Sequence, residues 1–202
     1  MTGNLLMSDF WKDIWDTKGA SSSSDLFFLD GYDHMKTSFD TAVVCRHIAD
    51  ILHLRPANSI LEVGCGCGLL AKEFHRYCNY MGVDYSSNII KKHQELFSGH
   101  RVMVGQANDL PFEDCSFDFV FCFGVFQYLP NEGYASKAIG EMQRVAKRKI
   151  FLGDLKAQAT RDTHFVYPQK SLLKKGFIFS KCLYGATDVE RYNAVWDKNR
   201  GG

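Results

Sequence analysis

Long apolar runs are missing from this chain of 202 residues. No stretch approaches the ~20 residues that a membrane-spanning helix needs, so no membrane partner is expected. A dominant charge is missing too: 24 Lys and Arg stand against 23 Asp and Glu, a formal net charge of +1. That balance supplies no global attraction to nucleic acid or to an anionic surface, and no nucleic-acid partner is expected. The short basic runs Lys147–Arg148–Lys149 and Lys174–Lys175 read as solvated faces. The seven cysteines never fall in C-x-x-C spacing, and Cys65 and Cys67 are the only close pair. Neither a disulfide framework nor a zinc site is indicated, and no metal is expected. The first residues, MTGNLLMSDFWKDIW, have acids and tryptophans where a secretory signal has a basic start and a long apolar centre. Reduced thiols in a cytoplasmic protein are the expectation. No internal repeat is present.

What is there is a composition of 46% hydrophobic residues, enough for a sizeable core in one domain. Phe10, Trp11, Ile14 and Trp15 recur at helical spacing and predict a short amphipathic helix. Ser21 to Ser24, next to Gly19, read as a flexible link. A second helix is expected over TSFDTAVVCRHIADILHL, with Phe39, Val43, Val44, Ile48, Ile51 and Leu52 on one face and a stop at Arg55–Pro56. Residues 1–54 thus read as an N-terminal helical cap or lid and residues 55–202 as the core. From Ser59 the pattern alternates: SILEV, YMGVD, RVMVG, FDFVFCF and KIFLGDL are strands, separated by helical segments. Near-continuous apolar strands alternating with helices indicate a doubly wound, mostly parallel sheet. GFIFSKCLY and ERYNAVWD, joined by only a turn, add an antiparallel pair and bring the sheet to seven strands.

The segment ILEVGCGCGLL places Gly64, Gly66 and Gly68 directly after the first strand. In a doubly wound sheet this turn lies where ligands bind, and glycine lets the chain turn sharply and a ligand approach the backbone. Asp84 closes the second strand twenty residues after Gly64, where an acid holds ribose hydroxyls. The spacing is E-x-G-x-G-x-G, led by Glu62. A dinucleotide fingerprint would need glycine at position 69, which is Leu69. No Gly-Lys-Ser or Gly-Lys-Thr follows, which excludes a P-loop.

On three motifs in order, LEVGCGCG, GVDYSSNII and VGQANDLPFEDCSFDFVFCFGVFQYLP, the chain resembles the class I S-adenosylmethionine-dependent methyltransferases from roughly Asp50 to Val195. The resemblance implies a Rossmann-like methyltransferase fold, S-adenosylmethionine as cofactor and S-adenosylhomocysteine as product. It implies that Glu62 and the Gly64–Cys65–Gly66–Gly68 loop face the methionine end, and that Asp84 takes the ribose hydroxyls. Tyr85 then lies on the adenine. Gln106 stands where the family often has Asp for the adenine amino group, followed by the N–H of Ala107. Phe123 lines the methionine arm, and Trp15 and Tyr32 of the cap close over the cofactor.

Methyl transfer needs the acceptor held in line and its proton removed when it has one, so no catalytic motif is obligatory. Polar candidates are Gln127 and Tyr128 after the fourth strand and His164 after the fifth, a histidine being the natural general base near neutral pH. Tyr167 is expected to overhang the same site. Against the pattern of that family, the short segment between the fifth and sixth strands and the lack of an Asn-Pro-Pro-Tyr type motif point to a small-molecule acceptor and O- or N-methylation. Phe121, Phe123, Phe126 and Tyr128 are its expected walls. The chain is expected to be a monomer or homodimer. The alternatives are a catalytically silent S-adenosylmethionine-binding regulator and, disfavoured by Leu69, an NAD-dependent oxidoreductase.

Overall fold

The computed structural model describes residues 7–36, 38–182 and 190–200. Seven strands form one sheet: β1 (Ser59–Val63), β2 (Asn79–Asp84), β3 (Val102–Val104), β4 (Phe117–Phe123), β5 (Ala146–Lys156), β6 (Ile178–Lys181) and β7 (Arg191–Asp197). Their order is β3-β2-β1-β4-β5-β7-β6. The first five are mutually parallel, and β7 runs antiparallel to both β5 and β6. Strand order reverses between β1 and β4, the position where open α/β sheets bind ligands.

Period-two alternation sorts the strand side chains onto two faces. Leu61, Val63, Val120, Cys122, Ile150 and Leu152 pack under α6 (Glu132–Val145) and α7 (Gln169–Lys174). Ile60, Phe119, Phe121 and Phe151 pack on the other face, under α3 (Thr41–Leu52) and α4 (Ala71–Tyr77). α5 (Ser87–Leu96) follows β2, its N-terminus capped by the Ser86 hydroxyl, which accepts from the Ile89 N–H. Asp118 stitches β4 to the start of β1 by accepting from the Ser59 backbone N–H at 2.9 Å.

The helical reading of the N-terminal third is refined in two places. α3 ends at Leu52, before Arg55–Pro56, because His53 takes the left-handed conformation (φ +57°) and donates its N–H back to Ala49 and Asp50. Val43 is exposed, and the inward face is Val44, Cys45, Ile48 and Leu52. α3 therefore lies on the sheet and shares its core. Preceding it, α1 (Met7–Ala20) and α2 (Leu26–Leu29) form the layer over the carboxyl ends of the strands. The serine run between them is a turn: Ser21 N–H donates to Lys18 O, and Ser23 Oγ accepts from Asp25 N–H. Leu183 and Tyr184 of the expected β6 segment lie outside the described residues.

Candidate active site

The carboxyl ends of β1, β2 and β4 surround a cavity of about 320 Å³, roofed by α1 and the chain after α2. Its floor is the glycine loop. Gly64 (φ +80°) and Gly66 (φ +54°) occupy left-handed backbone that a side chain would strain. Gly68 (φ +107°) does not line the cavity; it faces α5, where a Cβ would press on His93 and Phe97 at about 3.0 Å. Its role is helix packing, while Gly64, Cys65 and Gly66 form the wall itself.

The outward N–H groups of this loop are already engaged. Gly64 and Cys65 donate to Val83 O, and Gly66 donates to Asp84 Oδ2 at 3.2 Å. Cys67 and Leu69 donate to the two carboxylate oxygens of Asp30, at 2.6 and 2.8 Å. Asp30 belongs to the cap and lines the cavity beside Glu62 and Asp84. Three carboxyl groups thus share one wall. Burial pushes Asp84 up to about 6 and Asp30 up to about 7, against the backbone bonds that pull each down. Burial raises Glu62 as well, although the Tyr80 hydroxyl donates to its Oε2 at 2.6 Å. Such a wall favours a cationic guest and repels an anionic one.

A second wall carries Tyr85, Ile89, Gly105, Gln106 and Ala107, continued by Leu129, Pro130 and Tyr134. The loop bearing Gln106 is held from behind by α6. Arg144 donates to Phe112 O at 2.7 Å and Leu110 O at 3.0 Å, while Glu141 accepts from Leu110 N–H at 2.9 Å.

The far wall is aromatic. Phe123, Tyr128, Trp11, Trp15 and Tyr32 line it, with Trp11 and Trp15 edge-on to Tyr128 at 4.5 and 5.2 Å. Trp11 is fixed by its Nε1–H, which donates to Thr163 O at 2.9 Å. The Tyr32 hydroxyl donates to Asp154 at 3.3 Å, and Asp154 pairs with Arg191 at 2.5 Å. Asp154 is buried and Arg191 half-buried, and Asp154 is held at φ +59°.

Of the residues expected on the cofactor side, Glu62, Gly64, Cys65, Gly66, Asp84, Tyr85, Gln106, Ala107, Phe123, Trp15 and Tyr32 line this one cavity. Of the three polar candidates at the reacting end, only Tyr128 lines it. Gln127 turns its amide to Gly124 O. His164 lies behind Trp11, stacked on the indole at 5.4 Å, with Nδ1 facing Lys156 Nζ and Thr160 Oγ1. Burial, reinforced by the charges of Lys156, Arg161 and Arg191, pushes it down to about 4. Phe121 and Phe126 are core residues, and Tyr167 packs on Phe126. Sequence reasoning missed Asp30, Asp154 and Arg191. Each lies outside the recognisable motifs, and none carries a local signal in the chain.

Residues 61–152 match the family model described as a methyltransferase domain. That segment, somewhat under half of the chain, is similar to S-adenosylmethionine-dependent methyltransferase domains. The probable methyltransferase ltbC of Aspergillus luteorubrus is 30% identical over 138 residues, 58% of this chain and 45% of that protein. The chain spans less than half the length of the first curated relatives it matches. Two solved structures share the fold of this chain. Magnesium protoporphyrin IX methyltransferase of Synechocystis PCC 6803, with bound S-adenosylmethionine, superposes with a TM-score of 0.64 at 18% identity, over 97% of this chain and all of that one. Phosphoethanolamine N-methyltransferase 1 of Haemonchus contortus, with phosphoethanolamine and S-adenosylhomocysteine, gives 0.71 at 16% identity, over 98% of this chain and 50% of that one. The acidic wall fits the cofactor of this family, whose sulfonium and ammonium groups are positive, and the ring-lined shelf fits its adenine.

Proposed function

We propose that this methyltransferase acts on a small-molecule acceptor at oxygen or nitrogen, and that its cofactor lies across the cavity with its ribose at Asp84. The observation that carries this reading is the use made of the glycine-loop N–H groups. A dinucleotide site leaves such donors for a pyrophosphate. Here Asp84 and Asp30 take the N–H groups of Gly66, Cys67 and Leu69, so the loop presents negative charge. That arrangement suits a cationic cofactor and disfavours NAD.

Within this reading Asp84 accepts from the ribose hydroxyls, Tyr85 lies against the adenine, and Gln106 and Ala107 meet its polar edge. Glu62, Cys65 and the loop glycines flank the methionine arm, with Phe123. The bound cofactor supplies the methyl group at a sulfonium carbon. The chain's own residues position and dry the reacting end. Tyr128, Trp11 and Trp15 exclude water there, which strengthens every polar contact inside. The Tyr32 hydroxyl, which donates to Asp154 and lines the cavity, can accept from an acceptor O–H or N–H. His164 is assigned to bracing Trp11, since a group near 4 is a weak base at neutral pH.

The roof over the cavity, residues 10–34, is read as a lid that opens for the acceptor and for product. A small acceptor is supported by that roof, which covers the cavity with Trp11, Trp15 and Tyr32. Isothermal titration with S-adenosylmethionine, S-adenosylhomocysteine and NAD tests the reading. The first two are expected to bind and NAD is not. Binding of NAD alone overturns it, and binding without turnover across a panel of amines, alcohols and phenols favours a regulatory protein.

A further inference from the structure

We infer that Asp30 is a positioning residue that latches the cap onto the glycine loop, so that closing the cap and ordering the cofactor loop are one event. The inference rests on the cofactor site proposed above.

The geometry is specific. The carboxylate reaches 37 and 39 residues along the chain to take one N–H on each oxygen, Cys67 on Oδ1 and Leu69 on Oδ2. Both distances are short enough for direct hydrogen bonds from N–H to oxygen, so each loop donor has its own acceptor. The approach depends on Gly66, because a Cβ there would collide with Oδ1 of Asp30. The remaining tethers land elsewhere: Trp11 on Thr163, Tyr32 on Asp154, and Asp16 on Ser86. Asp30 also sits on a tight stem. Its N–H closes α2 by donating to Leu26 O, and neighbouring Leu29 is fully buried against Cys67 and Ile89. Lifting the cap therefore strips the loop of two acceptors at once and leaves Cys67 and Leu69 N–H without partners. A loop with unmet donors is less ordered. Ligands that need the loop in this shape then favour the closed cap by mass action.

Groups facing Asp30 come from each element around it: Lys18 of α1, Cys67 of the loop, Glu62 of β1 and Asp84 of β2, with His93 of α5 one bond away on Gly66 O. Lys18 is the cation among them, and it holds Phe28 O at 2.6 Å rather than the carboxylate.

Hydrogen exchange resolved to peptides decides the matter, with ligand-free protein and with S-adenosylhomocysteine as probe. Asp30→Asn keeps the shape and replaces one acceptor by a donor. Exchange over 10–34 and over 64–69 is expected to rise together by about tenfold or more, while β4 over 117–123 stays unchanged. Tyr32→Phe cuts a different tether and leaves the Asp30 bonds in place, so both segments are expected to stay close to the unaltered protein. Affinity for S-adenosylhomocysteine is expected to fall about tenfold in Asp30→Asn. Faster exchange confined to 64–69 overturns the latch, and so does unchanged affinity. Should the unaltered protein not bind the probe, the cofactor reading fails, while the ligand-free comparison still decides whether Asp30 ties cap to loop.

Discussion

The two ends of the cavity are built on different length scales. At the glycine loop the wall is shaped mostly by neighbours in the chain: Gly66 bonds Asp84 and Tyr80 bonds Glu62, each across 18 residues, and Ser86 bonds Asp84 across two. At the β4–β5 end the partners are remote. Trp11 bonds Thr163 across 152 residues, Tyr32 bonds Asp154 across 122, and Asp154 bonds Arg191 across 37. The first end is a motif and can be read as one. The second exists only after the sheet has brought β5, β7 and the cap together. The local end depends on motif spacing, and the remote end on contacts that only the assembled sheet supplies.

The largest effect that separates the ends is expected at Arg191, which touches neither the cavity nor the glycine loop. Arg191→Leu leaves Asp154 charged, buried and unpaired. Breaking a buried pair in this way costs about 3–5 kcal/mol. Urea unfolding is expected to show that loss, and the double variant with Asp154→Asn is expected to recover much of it, since a neutral amide that tolerates the left-handed backbone and still accepts from Tyr32 replaces an orphaned charge. A loss below about 1 kcal/mol in the single variant would show that the remote network does not hold this end together.

Next comes the local end. Asp84→Ala removes hydrogen bonds to a charged acceptor, each worth roughly 1.5–3 kcal/mol. Affinity for S-adenosylhomocysteine is expected to drop tenfold or more. The thermal midpoint without ligand is expected to hold or rise, because a buried carboxyl raised to about 6 opposes folding at neutral pH. Unchanged affinity would remove Asp84 from the site and with it the idea that this end is the cofactor's.

What was legible follows the same division. Strand and helix order, the antiparallel β7, and Gly64, Gly66 and Asp84 came from periodicity and spacing within about 25 residues, while Glu62, Tyr85, Gln106 and Ala107 came from the resemblance to a known family. His53 was not legible as a helix stop because a left-handed histidine carries no glycine or proline signal. Gly68 resembled Gly64 and Gly66 in sequence, but the turn rotates it toward His93. Asp30, Asp154 and Arg191 were illegible because a lone charge between motifs reads as a solvated one until a partner appears.

A subtler separation uses pH, and it probes the latch where cap and local end meet. The folded pKa of Asp30 lies at about 7, above its unfolded value near 4, so the closed, folded state holds the extra proton. Stability from this group is therefore greatest at low pH and falls as pH rises from about 4 to about 7. His100 and His164, both pushed down to about 4, oppose it below about 6.5, where they favour the folded state as pH rises. Above 6.5 they are neutral in both states. The thermal midpoint is expected to decline from pH 6.5 to 8, and Asp30→Asn is expected to flatten that decline. A slope that survives the substitution assigns it to another group.

The smallest expected effect concerns His164, and it decides whether the remote end holds a base or a brace. Its Nδ1 faces the Lys156 ammonium at 3.1 Å and the Thr160 hydroxyl at 2.7 Å, and its ring lies flat on Trp11. A ring nitrogen facing an ammonium is poorly placed to take a proton, and burial adds to that penalty. His164→Gln keeps an acceptor for Lys156 and gives up only the stacking. At pH 7 the loss of stability is expected to be about 1 kcal/mol or less, with S-adenosylhomocysteine affinity within twofold. Because the folded pKa is depressed, wild-type stability falls as pH drops from 6.5 toward 4. The variant is expected to lose less over that range, with His100 supplying the remainder. An NMR titration of the His164 ring checks the premise directly. A midpoint near 6.5 would return the residue to solvent-like behaviour and restore it as a candidate base. A midpoint near 4 that does not move when S-adenosylhomocysteine is added would leave it bracing Trp11, and any base would then be sought at Tyr32 and Asp154.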